Sequence, residues 1–322
     1  MISNRLFIVA PAALVLIAAG FAIGPGAQSP IVVQIAGVIA PSVTPSPTET
    51  ATLTATPPAT STPTATSTPT ITPTPTRTAT PVPTRDANLR SVHVPILMYH
   101  YISVPPPDAD KVRLDLSVTP AAFESQMQFL ADQGYHPIRV QDLTDYLLNG
   151  TPLPSKPIVL TFDDGYADNY ANAFPVLKKF KFPATFFVIT RFIDDKKPGY
   201  MTWDQLEELA IEGMEIGSHT LDHPDLYGKP RTFQVTEIAG SKLMIETRIG
   251  TPVKSFCYPS GHYDLRTIDV LRSSGYLAAT TEISGTLQST DSLYLLRRIR
   301  VRGSYAVSDF AYWIKYFSTN GK

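Results

Sequence analysis

Pro157-Ile158-Val159-Leu160-Thr161-Phe162-Asp163-Asp164-Gly165 is the stretch on which the reading of this 322-residue chain turns. Its first part is a short apolar run rich in β-branched residues, and it stops at a glycine. That is the pattern of a buried strand leading into a tight loop. Two neighbouring carboxylates at the end of such a strand repel each other, and each is costly to desolvate. A positive centre between or beside them removes that cost, and a metal ion is the simplest one. The bland alternative is an Asp-Asp-Gly turn after an ordinary strand.

Strand and helix signals alternate on both sides of this stretch. Residues 94–99 read as a strand. Thr119 caps a predicted helix with Pro120 at its first position, Phe123, Met127 and Leu130 along one face, and Gly134 past its end. A second helix over 140–149 stops at Gly150. After the 157–162 strand come a helix over 170–180 and a strand over 184–189. Thr202 and Gln205 form a capping-box pattern for a helix that ends at Gly213. Further strands are expected over 214–217, 255–258, 276–280 and 295–301, with helices over 233–249 and 265–274. About eight β/α repeats in roughly 230 residues mean a parallel barrel or an open doubly wound sheet, and the repeat count favours the barrel. In such folds chemistry sits at the C-terminal ends of the strands, where Asp163 and Asp164 fall.

A second signal is Glu215-Ile216-Gly217-Ser218-His219-Thr220-Leu221-Asp222-His223, which places two imidazoles four residues apart just after a strand. On a helix that spacing puts both on one face; a loop returning towards the first carboxylates does the same. His219 and His223 with Asp164 make a His/His/carboxylate set that leaves a position open for water, as catalytic zinc sites require. With Cys257 as the only cysteine, an internal disulfide and the Cys-Cys zinc motifs are excluded, so any metal is held by His, Asp or Glu.

Residues 161–165, 218–223 and the segment Phe256-Cys257-Tyr258-Pro259-Ser260-Gly261 resemble the first three motifs of the polysaccharide deacetylases, the NodB-homology domain of carbohydrate esterase family 4. The resemblance covers residues 93–302. It implies a distorted (β/α)7 barrel, slightly fewer repeats than the pattern count, and a divalent metal, usually zinc, with Co2+, Ni2+ or Mn2+ as alternatives. The implied reaction is hydrolysis of N-acetyl groups on an N-acetylhexosamine polysaccharide. Carried over by motif, Asp164, His219 and His223 bind the metal and Asp163 is the general base. The oxyanion and substrate are received by the third motif, through the Ser260 N–H with Tyr258, Pro259 and Gly261. The usual C-terminal Leu-x-His that supplies the general acid is absent. Ile96-Leu97-Met98-Tyr99-His100 stands at the front instead, in the permuted order of the biofilm poly-N-acetylglucosamine deacetylases, and makes His100 the acid. The arginine of the third motif is replaced by Cys257, which leaves Arg298 or Arg300 to orient the base. Tyr99, Tyr166, Trp203, Tyr258 and Tyr263 are candidate sugar platforms, while His93, His136 and His262 read as structural.

The front of the chain is of another kind. Arg5 is the only charged residue before Glu49, and residues 6–23 are strongly apolar. Residues 1–40 therefore read as a signal peptide or an uncleaved membrane anchor. Residues 41–85, nearly all Thr, Pro, Ser and Ala, lack the apolar side chains that offset ordering entropy and read as a disordered linker. Fully extended, it reaches about 130 Å. Residues 86–322 form the expected catalytic domain, with 24 basic against 27 acidic residues, a balance that excludes an electrostatic nucleic-acid binder. The expected protein is an exported monomer, secreted or anchored with its catalytic domain outside the cytoplasm. Two other readings of the same site are an O-acetyl esterase acting on a polysaccharide such as xylan, and a catalytically weak carbohydrate-binding surface module.

Overall fold

The computed structural model describes residues 89–320; the segments 1–40 and 41–85 lie outside the described residues. Strand β4, Pro157–Phe162, is apolar along its length because both of its faces are buried. Val159 packs with Ile96, Phe187, Cys257, Ala278 and Leu296, which come from five other strands and fill the interior of a closed barrel. Ile158, Leu160 and Phe162 turn the other way, into a layer shared with helix residues such as Phe123 and Leu177. Thr161 and Asp163 follow Val159 on the inward side by the two-residue period of a strand.

Seven parallel strands close the ring. β4 pairs with β2 (Ile96–Tyr99) on one side and β5 (Thr185–Val188) on the other. β5 pairs with β6 (Glu215–Ser218), β6 with β7 (Ser255–Cys257), and β7 with β8 (Ala278–Ser284). β8 pairs with β10 (Leu296–Arg300), which returns to β2. β3 (His136–Ile138) pairs only with β4, against its first residues, and stays outside the ring. The ring has the seven strands implied by the motif resemblance, one fewer than the pattern count of about eight repeats, and β3 has no counterpart in the sequence reading. A short antiparallel pair, β1 (Ser91–His93) with β9 (Leu287–Ser289), completes the described strands.

Helices cover the outside. α2 (Pro120–Asp132) begins as its sequence dictates, with the Thr119 hydroxyl accepting from Ala122 N–H and Phe123, Met127 and Leu130 buried. α3 (Val140–Asn149) ends on Gly150 in the left-handed region. α4 (Phe174–Phe180) continues a π-wound turn, Asn169–Ala173, and the short α5 is Thr190–Asp194. α6 (Trp203–Ile211) carries the Thr202/Gln205 capping box, an arrangement worth about 1 kcal/mol. α7 (Arg231–Ile249) and α8 (Leu265–Ser273) pack side by side on the barrel. Three helices have no counterpart in the sequence reading: the short α5, α1 (Lys111–Leu116), which buries no residue, and α9 (Val307–Asn320), which packs Phe310 and Ile314 into the outer layer. Among the described residues no helix is long and apolar enough to cross a membrane.

One glycine is dictated by packing. A Cβ on Gly217 would lie 2.5 Å from the Phe187 ring and 2.8 Å from Ser255 Oγ. The Gly in Glu-Ile-Gly-Ser-His thus lets Phe187 fill the barrel, and β6 carries His219 to the far end of it.

Candidate active site

The loops leaving β4, β6 and β7 meet at one end of the barrel, and their backbones are strained there. Asp164, Thr220, His223 and Ser260 all have positive φ (75°, 71°, 59° and 53°) although none is glycine. Such conformations cost energy and persist only where the surroundings enforce them. At β4 the left-handed pair Asp164 and Gly165 turns the chain sharply, so that consecutive carboxylates serve different partners. At β6 the Thr220 hydroxyl accepts from His223 N–H at 2.9 Å and folds the loop back. His219 and His223 are thereby brought together on a loop, not a helix, with ring centroids 4.7 Å apart.

Asp164 Oδ1 lies 3.4 Å from His219 Nε2 and 3.5 Å from His223 Nε2. Ligand atoms of the three residues all fall within 4.8 Å of one another. His219 Nδ1 donates to the Cys257 carbonyl at 2.8 Å, which fixes the tautomer and leaves Nε2 facing Asp164. These observations fit a divalent cation: one carboxylate, two imidazole nitrogens, and a backbone acceptor behind the more buried ring. The electrostatics agree. Burial pushes Asp164 up, but the His219 hydrogen bond and the charges of His100, His219 and His223 outweigh it and hold the carboxyl well below its ordinary range. Burial lowers His219, yet Cys257 and Asp164 together raise it well above the ordinary imidazole value. His223 is pushed down to about 4, first by burial and then by the neighbouring His219.

Asp163 is 2 % exposed and differently placed. Its two oxygens each accept from Arg298, Nη1 to Oδ1 and Nη2 to Oδ2, both at 2.8 Å. The 1 % exposed guanidinium is itself fixed, donating through Nε to the Thr281 carbonyl and through Nη1 to Thr161 Oγ1. Burial raises the Asp163 carboxyl, and the Arg298 charge and hydrogen bonds more than reverse this, so it stays ionised. The Cys257 thiol lies 3.5 Å from Asp163 Oδ2 and 3.2 Å from Arg298 Nη2. Cys257 leaves room on β7 for an arginine delivered from β10. Of the two arginines named for orienting the base, Arg298 reaches it. Arg300, two residues further along the same face, pairs with Glu282 and Asp115 and lines the mouth of the site.

His100 follows β2, with its carbonyl accepting from Asn169 Nδ2 at 2.7 Å and its Nε2 3.9 Å from Asp163 Oδ2. Burial lowers the imidazole, against the pull of Asp163 and Asp164. These groups, with Ser260 and an edge of Tyr258, line a cavity of about 460 Å3. The Tyr258 hydroxyl donates to the Tyr294 carbonyl and its ring stacks on Tyr263, so this residue is built into the wall. Pro259 and Gly261 shape the turn and do not line the cavity: Pro259 is buried and Gly261 faces a neighbouring cleft. The Tyr99 ring is wholly buried with its hydroxyl on Gln126, and the Trp203 indole donates to Asp194, which leaves Tyr166 as a cavity-lining aromatic among the named platforms. Absent from the sequence reading are Tyr101, Arg113 and Leu116, which complete the wall. Tyr101 adjoins His100 and was the one signal on offer; α1 is too short to announce itself by periodicity.

The match to known proteins follows this geometry. The family model described as polysaccharide deacetylase matches residues 150–279. YxkH of Bacillus subtilis (strain 168), assigned as a polysaccharide deacetylase, is 34 % identical over 222 residues, covering 69 % of this chain and 76 % of that protein. The solved structure of Streptococcus pyogenes deacetylase PplD in complex with acetate aligns with a TM-score of 0.65 at 31 % identity, over 70 % of this chain and 99 % of that one. The chain belongs to the polysaccharide deacetylase family. Within that family it is homologous to the poly-β-1,6-N-acetyl-D-glucosamine N-deacetylases: that of Staphylococcus aureus (strain MRSA252) is 26 % identical over 199 residues, 58 % of this chain and 68 % of the relative.

Proposed function

We propose that this protein is a zinc-dependent de-N-acetylase of an N-acetylhexosamine polysaccharide outside the cytoplasm. The observation that carries the reading is the pairing of a metal-type set, Asp164, His219 and His223, with a second carboxylate, Asp163, kept ionised by Arg298 in the same cavity. A divalent cation in the first set supplies the Lewis acid that polarises the acetamide carbonyl and acidifies water. Asp163, fixed by two hydrogen bonds, takes the proton of the attacking water. His100, with Nε2 3.9 Å from the same carboxylate, receives that proton and delivers it to the leaving amine. The Ser260 backbone N–H faces the developing oxyanion, in a turn whose left-handed residue is held before substrate arrives. Arg298 orients the base and takes no direct part in the chemistry.

The glycan assignment is supported by the Staphylococcus aureus relative, a poly-β-1,6-N-acetyl-D-glucosamine N-deacetylase. The apolar run at 6–23 and the Thr/Pro-rich segment 41–85 support export, with the catalytic domain of a monomer tethered to a membrane or released from it. Acetate release from N-acetylglucosamine oligomers and from O-acetylated xylan, with zinc added, tests the reaction. Release from the amide that is lost in Asp163→Asn is the expected result, and His100→Ala tests the acid. Release from the ester alone transfers the protein to the esterases. Release from neither, with zinc still bound, overturns the catalytic reading in favour of a carbohydrate-binding module.

A further inference from the structure

Beside the active-site cavity lies a second cleft of about 400 Å3, and the two share Tyr101, Arg113 and Tyr166 as a partition. The far wall of the cleft is Asp168, Gly199 and Tyr200. The rings of the partition form a continuous pile. The Arg113 guanidinium sits 3.1 Å above the centre of Tyr101, Tyr101 stacks on Tyr166 at 3.7 Å, and Tyr166 meets Tyr200 at 5.2 Å. Phe192 closes the pile with its edge on Tyr200 at 4.9 Å. The pile is fixed by main chain as well: Tyr166 and Tyr200 form an antiparallel bridge, Ala167 N–H donates to the Gly199 carbonyl, and Met201 N–H to that of Gly165.

This arrangement selects a ligand chemistry. The faces of Tyr101 and Tyr166 are taken by their neighbours, so the cleft presents ring edges and hydroxyls, not open platforms. The Asp168 carboxylate is held by Ser103 Oγ at 2.6 Å and Asn169 Nδ2 at 3.0 Å and adds a fixed acceptor. A rigid wall of hydroxyl groups with one acceptor and one guanidinium suits a neutral polyhydroxylated ring, hydrogen-bonded on its rim. Because the wall is shared, a ring in this cleft is one linkage away from a ring in the catalytic cavity. We propose that the cleft between Tyr101, Tyr166 and Tyr200 is a subsite for the hexosamine unit adjoining the one that is deacetylated. The assignment rests on the reaction proposed above and makes the protein a reader of chain length.

Tyr200 lines the cleft and not the catalytic cavity. The experiment measures binding of N-acetylglucosamine and of its β-1,6-linked dimer to the full-length, zinc-loaded Asp163→Asn protein by calorimetry, alone and with Tyr200→Phe or Tyr200→Ala added. The dimer is expected to bind more tightly than the monomer, and Tyr200→Phe, which removes only a hydroxyl, to reduce the dimer-to-monomer affinity ratio about five- to tenfold. A ratio that neither Tyr200 variant changes, or a dimer that binds no better than the monomer, overturns the subsite. Acetate release from the β-1,6-linked pentamer by the unaltered protein is measured in parallel. No release defeats the proposed reaction, while the affinity ratio still decides the subsite.

Discussion

At the C-terminal end of the strands Asp163 is buried against a guanidinium that gives both of its oxygens a hydrogen bond. At the opposite end, at the start of β6, Glu215 is buried against neutral donors only: the Gln141 N–H at 2.8 Å, the Thr185 hydroxyl at 2.9 Å and the Ser255 hydroxyl at 2.6 Å. The same barrel thus desolvates two carboxylates and compensates them differently. Burial raises both, but a full opposite charge in direct contact carries Asp163 below its ordinary value, whereas three neutral donors and the smaller influence of Arg139 only moderate the rise at Glu215. One end keeps its carboxylate ionised at neutral pH. The other ties α3 to β5, β6 and β7 through a single side chain, which is a contribution to stability at the face where barrels carry no chemistry.

If that contrast is correct, the ends respond to mutation in different currencies. The largest effect is expected for Asp163→Asn, which removes the proposed base: acetate release falls by about 10²–10⁴-fold, while circular dichroism shows a folded protein. A folded variant with more than about a tenth of the activity would break the assignment. Next comes Arg298→Ala, which leaves Asp163 buried without its partner and costs about 3–5 kcal/mol of stability, read from urea unfolding. Arg298→Lys keeps a charge but not the two-pronged geometry, and is expected to regain part of the stability while activity stays low. Equal recovery of both would mean that Arg298 acts as a charge and not as a guide for the base.

Much of this was legible in the chain. The 157–162 strand, the 140–149 helix and the Thr202 cap fall where the pattern placed them, because each is specified locally by alternation, a glycine stop or a cap. Asp163, Asp164, His219 and His223 could be read because short motifs at strand ends bring their own geometry. The choice between Arg298 and Arg300 could not, since both lie on one face of a short strand, two residues apart, and only their depth in the closed barrel separates them: Arg298 reaches Asp163, while Arg300 pairs with Glu282 at the mouth. Tyr101 and Arg113 were hidden for a related reason: they face the cavity through the approach of α1 to Gly303, where a Cβ would lie 2.3 Å from the Ser117 carbonyl oxygen. That contact spans the length of the domain and leaves no periodic trace.

The smaller effects belong to the other end. Glu215→Ala leaves three donors without an acceptor and is expected to cost about 1–3 kcal/mol for each donor that water cannot reach, with kcat on any active substrate little changed. Glu215→Gln isolates the charge, since an amide oxygen can accept from Gln141 and Thr185 while the Ser255 hydroxyl turns to accept from the amide. The sign of the pH dependence follows from the raised value at Glu215. A carboxyl whose folded value exceeds its unfolded one contributes stability fully below the unfolded value, near 4.3, and loses it as pH rises through the folded value. The glutamine does not titrate, so the melting temperature of the wild type relative to Glu215→Gln is expected to decline from pH 4 towards neutrality. Each unit by which the folded value is raised corresponds to about 1.4 kcal/mol, or roughly 3–6 °C for a domain of this size. Groups common to both proteins cancel in the difference, which makes the slope specific to this carboxyl. A wild-type advantage that grows with pH would mean that the neutral donors, with the N-terminus of α3 behind the Gln141 N–H, stabilise the ionised form after all, and the contrast between the two ends would be one of degree.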